Sequence, residues 1–345
     1  MSTYLFLVFV SFIVNFALIV PFINFLYHLK FQRVAQTTRD IFNKPTPIFD
    51  KFHEHKKGVP VGGGILLIVT TLVLFSLSYL MFFLLHKKIA SNYAAAASEI
   101  KILLFTFISF ALLGIFDDLN KIFFLKNRQF FGLRFRHKLI LEIILALIVS
   151  WWMVTDLKIK FINVPFFGVY DISYYFILFS TFVIVAFANA VNITDGLDGL
   201  ASGVLVIALA SFWVVARSIL DVPTSLFIGT WLGGLIAFLY FNVFPARIIL
   251  GDTGALSFGA TFAVVGLLLG KTFSLPIIGG IFVIEVATSL FQILSKKFLK
   301  KKLFPVAPLH LFFQLKGWEE PKIVMRFWIF SLLFATLGLM IAFLK

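Results

Sequence analysis

A chain of 345 residues that is 61% hydrophobic and 13% charged, with a mean hydropathy of +1.02, is not a soluble globular domain. It has no cysteine, which excludes disulfides and thiolate metal sites, and its net charge of +14 raises nucleic acid as a partner until the basic residues are placed. The class that remains is an integral membrane protein.

At about 20 apolar residues per crossing, the hydrophobic segments predict an all-α protein of ten transmembrane helices forming one polytopic domain over 1–345. The spans are 3–27, 62–86, 100–117, 138–155, 174–191, 199–217, 223–241, 253–270, 273–295 and 326–344. The first segment has neither a basic leader nor a small-residue cleavage site, so it is expected to be a span rather than a cleaved signal. No internal repeat, low-complexity tract or composition break divides the chain. The connections after odd-numbered spans (28–61, 118–138, 192–198, 242–252 and 296–326) hold 22 of the 30 Lys and Arg residues. The positive-inside rule then puts these connections in the cytoplasm and both termini outside. Topology accounts for the basic excess, and no nucleic acid partner is expected.

The acids follow the same connections. Asp117 and Asp118 end the third span, Asp195 and Asp198 follow the fifth, and Asp252 follows the seventh, so five carboxylates converge on the cytoplasmic face. In the stretch Asn189–Gly199 the polar residues recur every third position, as Asn189, Asn192, Asp195 and Asp198. That spacing places them near one another on a helix face, and Gly196 and Gly199 interrupt the helix where the carboxylates fall. Each acid costs about 2.5–3.5 kcal/mol near a span centre and less at the interface, and a divalent cation would offset their mutual repulsion. Oxygen ligands without cysteine favour a hard ion, and Mg²⁺ completes its shell with water and substrate phosphates. A phosphate ester or anhydride is therefore the expected substrate.

The cationic half comes from two other loops. Lys56 and Lys57 precede the run Gly58-Val59-Pro60-Val61-Gly62-Gly63-Gly64, whose backbone N–H groups are expected to face an anion. Lys296, Lys297, Lys300, Lys301 and Lys302 suit anchors for anionic lipid. His310 between Leu309 and Leu311 suits a packed interfacial histidine, and Asp252 in Gly251-Asp252-Thr253-Gly254 also suits the N-cap of the eighth span. Glu142 and Glu285 lie inside spans without a motif, and structural pairing is expected of them.

Five blocks carry a resemblance: KKGVPVGGG at 56–64, GIFDDLNK at 114–121, NAVNITDGLDGLA at 189–201, FNVFPARIILGDTGAL at 241–256, and APLHLFFQLKGWEEPKIVMRFWI at 307–329. In this order, over ten spans, they resemble the polyprenyl-phosphate N-acetylhexosamine-1-phosphate transferases, and within them the branch that uses a muramoyl-pentapeptide donor. The resemblance implies a transferase of the bacterial inner membrane with its active site on the cytoplasmic side. Its substrates would be undecaprenyl phosphate and UDP-N-acetylmuramoyl-pentapeptide, its cofactor Mg²⁺, and its assembly a homodimer. It further implies that Asp252 is the metal ligand and that Asp117, with Asp118 beside it, handles the lipid phosphate. By the same resemblance Lys56 and Lys121 lie on the phosphate side, His310 is the first of a histidine run, and Asn189, Asn192, Asp195 and Asp198 bind nucleotide and sugar. Asn242 is then an active-site amide, and Gly251 joins the substrate-binding positions. The chain departs from the pattern at Val59 and Val61 (threonines in that branch), Ile249 (an aromatic), Leu311 and Phe312 (histidines) and Gln314 (an acid). Those positions bear on the sugar donor, so the alternative is a related transferase that uses UDP-N-acetylglucosamine or another UDP-N-acetylhexosamine on a polyprenyl phosphate. A transporter or flippase is the alternative of a different class, although such proteins usually hold their site near the midplane between internal repeats.

Overall fold

The computed structural model describes residues 2–33, 45–53, 56–87, 89–123 and 135–344. The stretches 34–44 and 124–134, which contribute to the charge count above, lie outside those residues. The described helices are α1 Ser2–His28, α2 Pro47–His53, α3 Gly63–Leu84, α4 Ala96–Phe123, α5 Phe135–Thr155, α6 Tyr175–Thr194 and α7 Leu200–Ser218. They continue with α8 Val222–Asn242, α9 Gly251–Leu268, α10 Ser274–Ile278, α11 Gly280–Leu294, α12 Leu309–Leu315 and α13 Glu320–Phe343.

Among the described residues, nine of these helices are long and apolar enough to cross a membrane. The segment expected as the ninth span, 273–295, is instead broken at Gly279 into α10 and α11. Two adjacent glycines weaken the helix there, and neighbouring rings use the space they leave. A Cβ at Gly279 would lie 2.7 Å from the Phe187 ring, and one at Gly280 would lie 2.8 Å from the Phe334 ring. Two boundaries also move. Helix α4 runs on to Phe123, so Asp117 and Asp118 lie within it rather than at its end, and α13 begins at Glu320, before the expected 326. The connection between α5 and α6 holds an antiparallel hairpin, β1 Phe161–Val164 and β2 Gly168–Asp171, with Phe161 opposite Asp171 and Val164 opposite Gly168. Strands of four residues are too short to announce themselves by alternation.

Helix α9 is the central post: 94% of its spanning window is buried, against 28% for α1 and 33% for α13. Its sequence, Gly-Asp-Thr-Gly-Ala-Leu-Ser-Phe-Gly-Ala, explains this, because small residues let neighbouring backbones approach closely. A Cβ at Gly114 of α4 would lie 2.4 Å from the carbonyl oxygen of Asp252, one at Gly64 of α3 2.3 Å from the nitrogen of Gly254, and one at Gly259 of α9 2.3 Å from the carbonyl oxygen of Phe187 on α6. Aromatic packing locks the middle of the bundle, with Phe107 of α4 stacked on Phe258 of α9 at 5.7 Å and edge-on to Trp231 of α8 at 5.5 Å. This packing brings the N-terminus of α9 against the polar ends of α4 and α5.

Candidate active site

At the N-terminus of α9 the chain turns through Gly251, whose φ of +79° lies in the left-handed region; a side chain there would also press on Asp118 and Val61. The free N–H groups of that first turn need acceptors. Asp118, reaching across from α4, accepts from the N–H of Asp252 at 3.1 Å, the N–H of Thr253 at 3.0 Å and the Thr253 hydroxyl at 2.7 Å. The expectation that Asp252 caps the helix is therefore corrected: Asp252 lies inside α9, the cap position is Leu250, and Asp118 supplies the carboxylate.

Relieved of capping, the Asp252 side chain accepts from Lys121 of α4 at 2.8 Å and from Lys138 of α5. Asp117 accepts from the same two lysines, at 3.1 and 3.2 Å. Two acids and two lysines from three helices thus form one alternating ring. Asp117 is 3% exposed, against 13% for Asp252 and 24% for Lys121, so the ring opens on the side of Lys121 and Asp252. One turn along α5 from Lys138, the buried Glu142 accepts from the Asn189 amide, which also donates to the Val185 carbonyl at 3.0 Å. The pairing expected of Glu142 is thus with an amide.

Among the described residues no group of three or more His, Asp or Glu side chains converges as a closed metal cage. Two oxygen-donor residues around a partly open position still fit Mg²⁺, which takes one or two carboxylates and leaves its other positions to water and phosphate. Asp252 and Asp117 are the pair able to hold it.

A second polar centre lies where the loop before α3, the turn after α6 and the start of α13 meet. Lys56 is 4% exposed there and contacts Asp198 at 2.7 Å, Glu320 at 2.9 Å and the Gly196 carbonyl at 2.9 Å. Asp198 lies beyond the end of α6, not on its face, and its second oxygen accepts from the Ala246 N–H at 3.0 Å. Asn242 braces the same turn: its oxygen accepts from the Gly199 N–H at 3.2 Å and the Ser202 hydroxyl at 2.6 Å, and its amide donates to the Ile248 carbonyl at 2.9 Å. His310 on α12 pairs through Nδ1 with Glu285 at 2.9 Å. Its Nε2 lies against Gly196, where a Cβ would come within 2.5 Å.

The glycine run does not present its amides to an anion. Gly62 and Gly63 donate to the Ile249 carbonyl at 3.2 and 2.9 Å, and Gly64 to that of Leu250 at 3.0 Å. Val61 and Ile249 form a parallel bridge, so two of the positions that depart from the resembled pattern face each other. The run thus orients the strand leading into Asp252.

Asn192 and Asp195 stand apart: neither side chain forms a hydrogen bond or ion pair among the described residues. Burial pushes the Asp195 carboxyl up to about 8 against the pull of Lys56; Asp252 adds to the rise and Arg33 opposes it. The Arg33 guanidinium is lowered by burial and drawn back by Asp195 and Asp198. The exposed Lys297, Lys300, Lys301 and Lys302 lie around a π-helical turn, Ser295–Leu299, that continues α11.

Sequence reasoning missed four participants: Lys138, Glu320, Arg33 and, as the partner of His310, Glu285. A signal existed for Lys138, whose spacing of four from Glu142 at the mouth of a span marks a charged pair on one helix face.

The sequence profile of glycosyl transferase family 4 matches residues 100–270. The phospho-N-acetylmuramoyl-pentapeptide-transferase of Caldanaerobacter subterraneus subsp. tengcongensis is 38% identical over 284 residues, 82% of this chain and 84% of that protein. The enzymes of the same name from Latilactobacillus sakei and Bacillus subtilis are each 33% identical, over 92% and 98% of this chain and 92% and 97% of theirs. With this coverage, and with the five sequence blocks gathered around one polar end of the bundle, the chain belongs to the phospho-N-acetylmuramoyl-pentapeptide-transferase family.

Proposed function

We propose that this protein transfers phospho-N-acetylmuramoyl-pentapeptide from its UDP conjugate to undecaprenyl phosphate, giving lipid I and UMP. A phosphate oxygen of the lipid attacks the β-phosphorus of the donor, the bond from that phosphorus to the bridging oxygen breaks, and UMP leaves with that oxygen. The observation that carries this reading is the ring of Asp117, Lys121, Asp252 and Lys138, open on one side at the mouth of three helices.

The barrier is mainly repulsion between anions plus the cost of aligning them. Lys121 and Lys138, held between two carboxylates, are placed to turn toward the phosphates and lower the first term. Asp117 orients the lipid phosphate and accepts its proton when it carries one. Mg²⁺, held by Asp252 with Asp117 beside it, would supply charge neutralisation for the diphosphate. Asn192 and Asp195 offer their unpaired polar atoms to the nucleotide and sugar. The Lys56–Asp198–Glu320 cluster and the Asn242 brace keep in place the turn that begins at Asp195, just beyond the end of α6 that carries Asn192.

In this account the acidic end faces the cytoplasm of a bacterial plasma membrane, and both termini face outward. A second reading, with UDP-N-acetylglucosamine as donor, draws on the Val61–Ile249 bridge, where the resembled branch has a threonine and an aromatic. Mass spectrometry of the lipid product decides between them. Purified protein with Mg²⁺, undecaprenyl phosphate and both donors should yield the muramoyl-pentapeptide lipid diphosphate; the N-acetylglucosamine product alone would establish the second reading.

A further inference from the structure

The hairpin between α5 and α6 stands at the end of the bundle opposite the acids. Its root is fixed, because Leu157 and Ile159 are buried and Ile162 and Ile172 pack on the core. Its outer part is apolar and bare. Phe166 and Phe167 at the tip are 78% and 76% exposed, and Phe161, Val169, Tyr174 and Tyr175 are exposed along the strand and the following turn. The register puts Phe161 and Val169 on one face together with the polar Asn163 and Asp171, so the continuous apolar part of the hairpin is its tip.

Apolar side chains project from a face, from the tip and from the flanking turn. A protein partner buries one patch, so this distribution suits a fluid apolar medium better. The adjoining spans expose Trp151 of α5 and Leu178 and Phe182 of α6 on their lipid-facing sides, and the exposed Asp156, Lys158, Asp171 and Ser173 lie between them and the hairpin along the chain, as polar residues do at a membrane boundary. Lys160 lies over the Tyr174 ring at 4.7 Å, which adds the tyrosine and snorkelling lysine of a membrane boundary.

We infer that this hairpin is an interfacial anchor whose Phe166–Phe167 tip enters the headgroup and acyl boundary of the leaflet opposite the active site. Its partner is a lipid surface. The anchor ties together the outer ends of α5 and α6, whose other ends carry Lys138 and Asn192.

The chain has no cysteine, so a nitroxide on F167C is unique. In nanodiscs of phosphatidylethanolamine and phosphatidylglycerol, its collision rates with oxygen and with a water-soluble nickel chelate report its depth. F182C on α6 serves as the lipid reference, and F166C is a second probe in case the first variant does not fold. The inference predicts oxygen-dominated collisions at 166 and 167, approaching those at 182. Nickel-dominated collisions would overturn it, as would shielding from both reagents, which would point to a covering protein surface.

Discussion

Asp118 and Asp252 are joined in one direction only: the Asp118 carboxylate accepts from the Asp252 backbone N–H at 3.1 Å, and the Asp252 carboxylate turns away to Lys121 and Lys138. Adjacent acids on α4 are thereby divided between two tasks, Asp118 building the end of α9 and Asp117 sharing the lysines of the site. The two acids should fail differently when replaced. Asp118→Ala removes three hydrogen bonds at a helix start and should cost about 1–2 kcal/mol, seen as a lower unfolding midpoint in detergent. Asp252→Asn keeps its N–H and the cap, so the fold should persist while turnover falls by at least about 10²–10³-fold.

Lys56 neutralises two buried acids at once. Lys56→Met would leave Asp198 and Glu320 without their cation and should cost about 3–5 kcal/mol. Adding Glu320→Gln should recover part of that loss. A double-mutant cycle on the unfolding midpoint measures the coupling; strictly additive effects would mean that the cluster does not act as a unit.

Asp195 gives a pH dependence of definite sign. Its carboxyl is raised to about 8 by burial, from an ordinary value near 4. Between those values the folded chain holds a proton that the unfolded chain releases, so this group makes stability fall as pH rises from about 4 to about 8. Without added metal, Asp195→Asn should flatten that decline and unfold at a higher temperature than the parent at pH 8. The gap between the two should shrink as pH is lowered toward 4.

Gly114 is where α4 touches the backbone of Asp252 and Thr253. An added methyl has no room there, so Gly114→Ala should move the two helices apart and cost about 1–3 kcal/mol. Because Asp117 and Asp252 ride on those helices, turnover should fall more steeply than stability. Equal losses in both would limit Gly114 to a packing role.

Much of this arrangement is legible in the sequence, for physical reasons. Bilayer thickness dictates span length, and the bias of Lys and Arg places the five acids on one side before any contact is known. Spacing along the chain says little about which partner each acid will find. Asp118 and Asp252 both read as site acids, and only the packing of α4 on α9 reveals that one caps the helix of the other. Likewise the glycine run reads as an anion cradle, because nothing local shows that the Ile249 and Leu250 carbonyls will take its N–H groups. Glu320 pairs with Lys56 from the far end of the chain, a contact that sequence proximity does not suggest. The break at Gly279 was hidden by the apolar character of the whole segment, which satisfies a span by composition alone.

The central claim is tested most directly by UMP release from purified protein in detergent with Mg²⁺, with undecaprenyl phosphate present or omitted and with UDP-N-acetylmuramoyl-pentapeptide and UDP-N-acetylglucosamine offered in parallel. The account predicts release that requires lipid and Mg²⁺ and occurs with the muramoyl-pentapeptide donor, and that is lost in Asp252→Asn. Release with UDP-N-acetylglucosamine alone, or no release with either donor from well-folded protein, would contradict it.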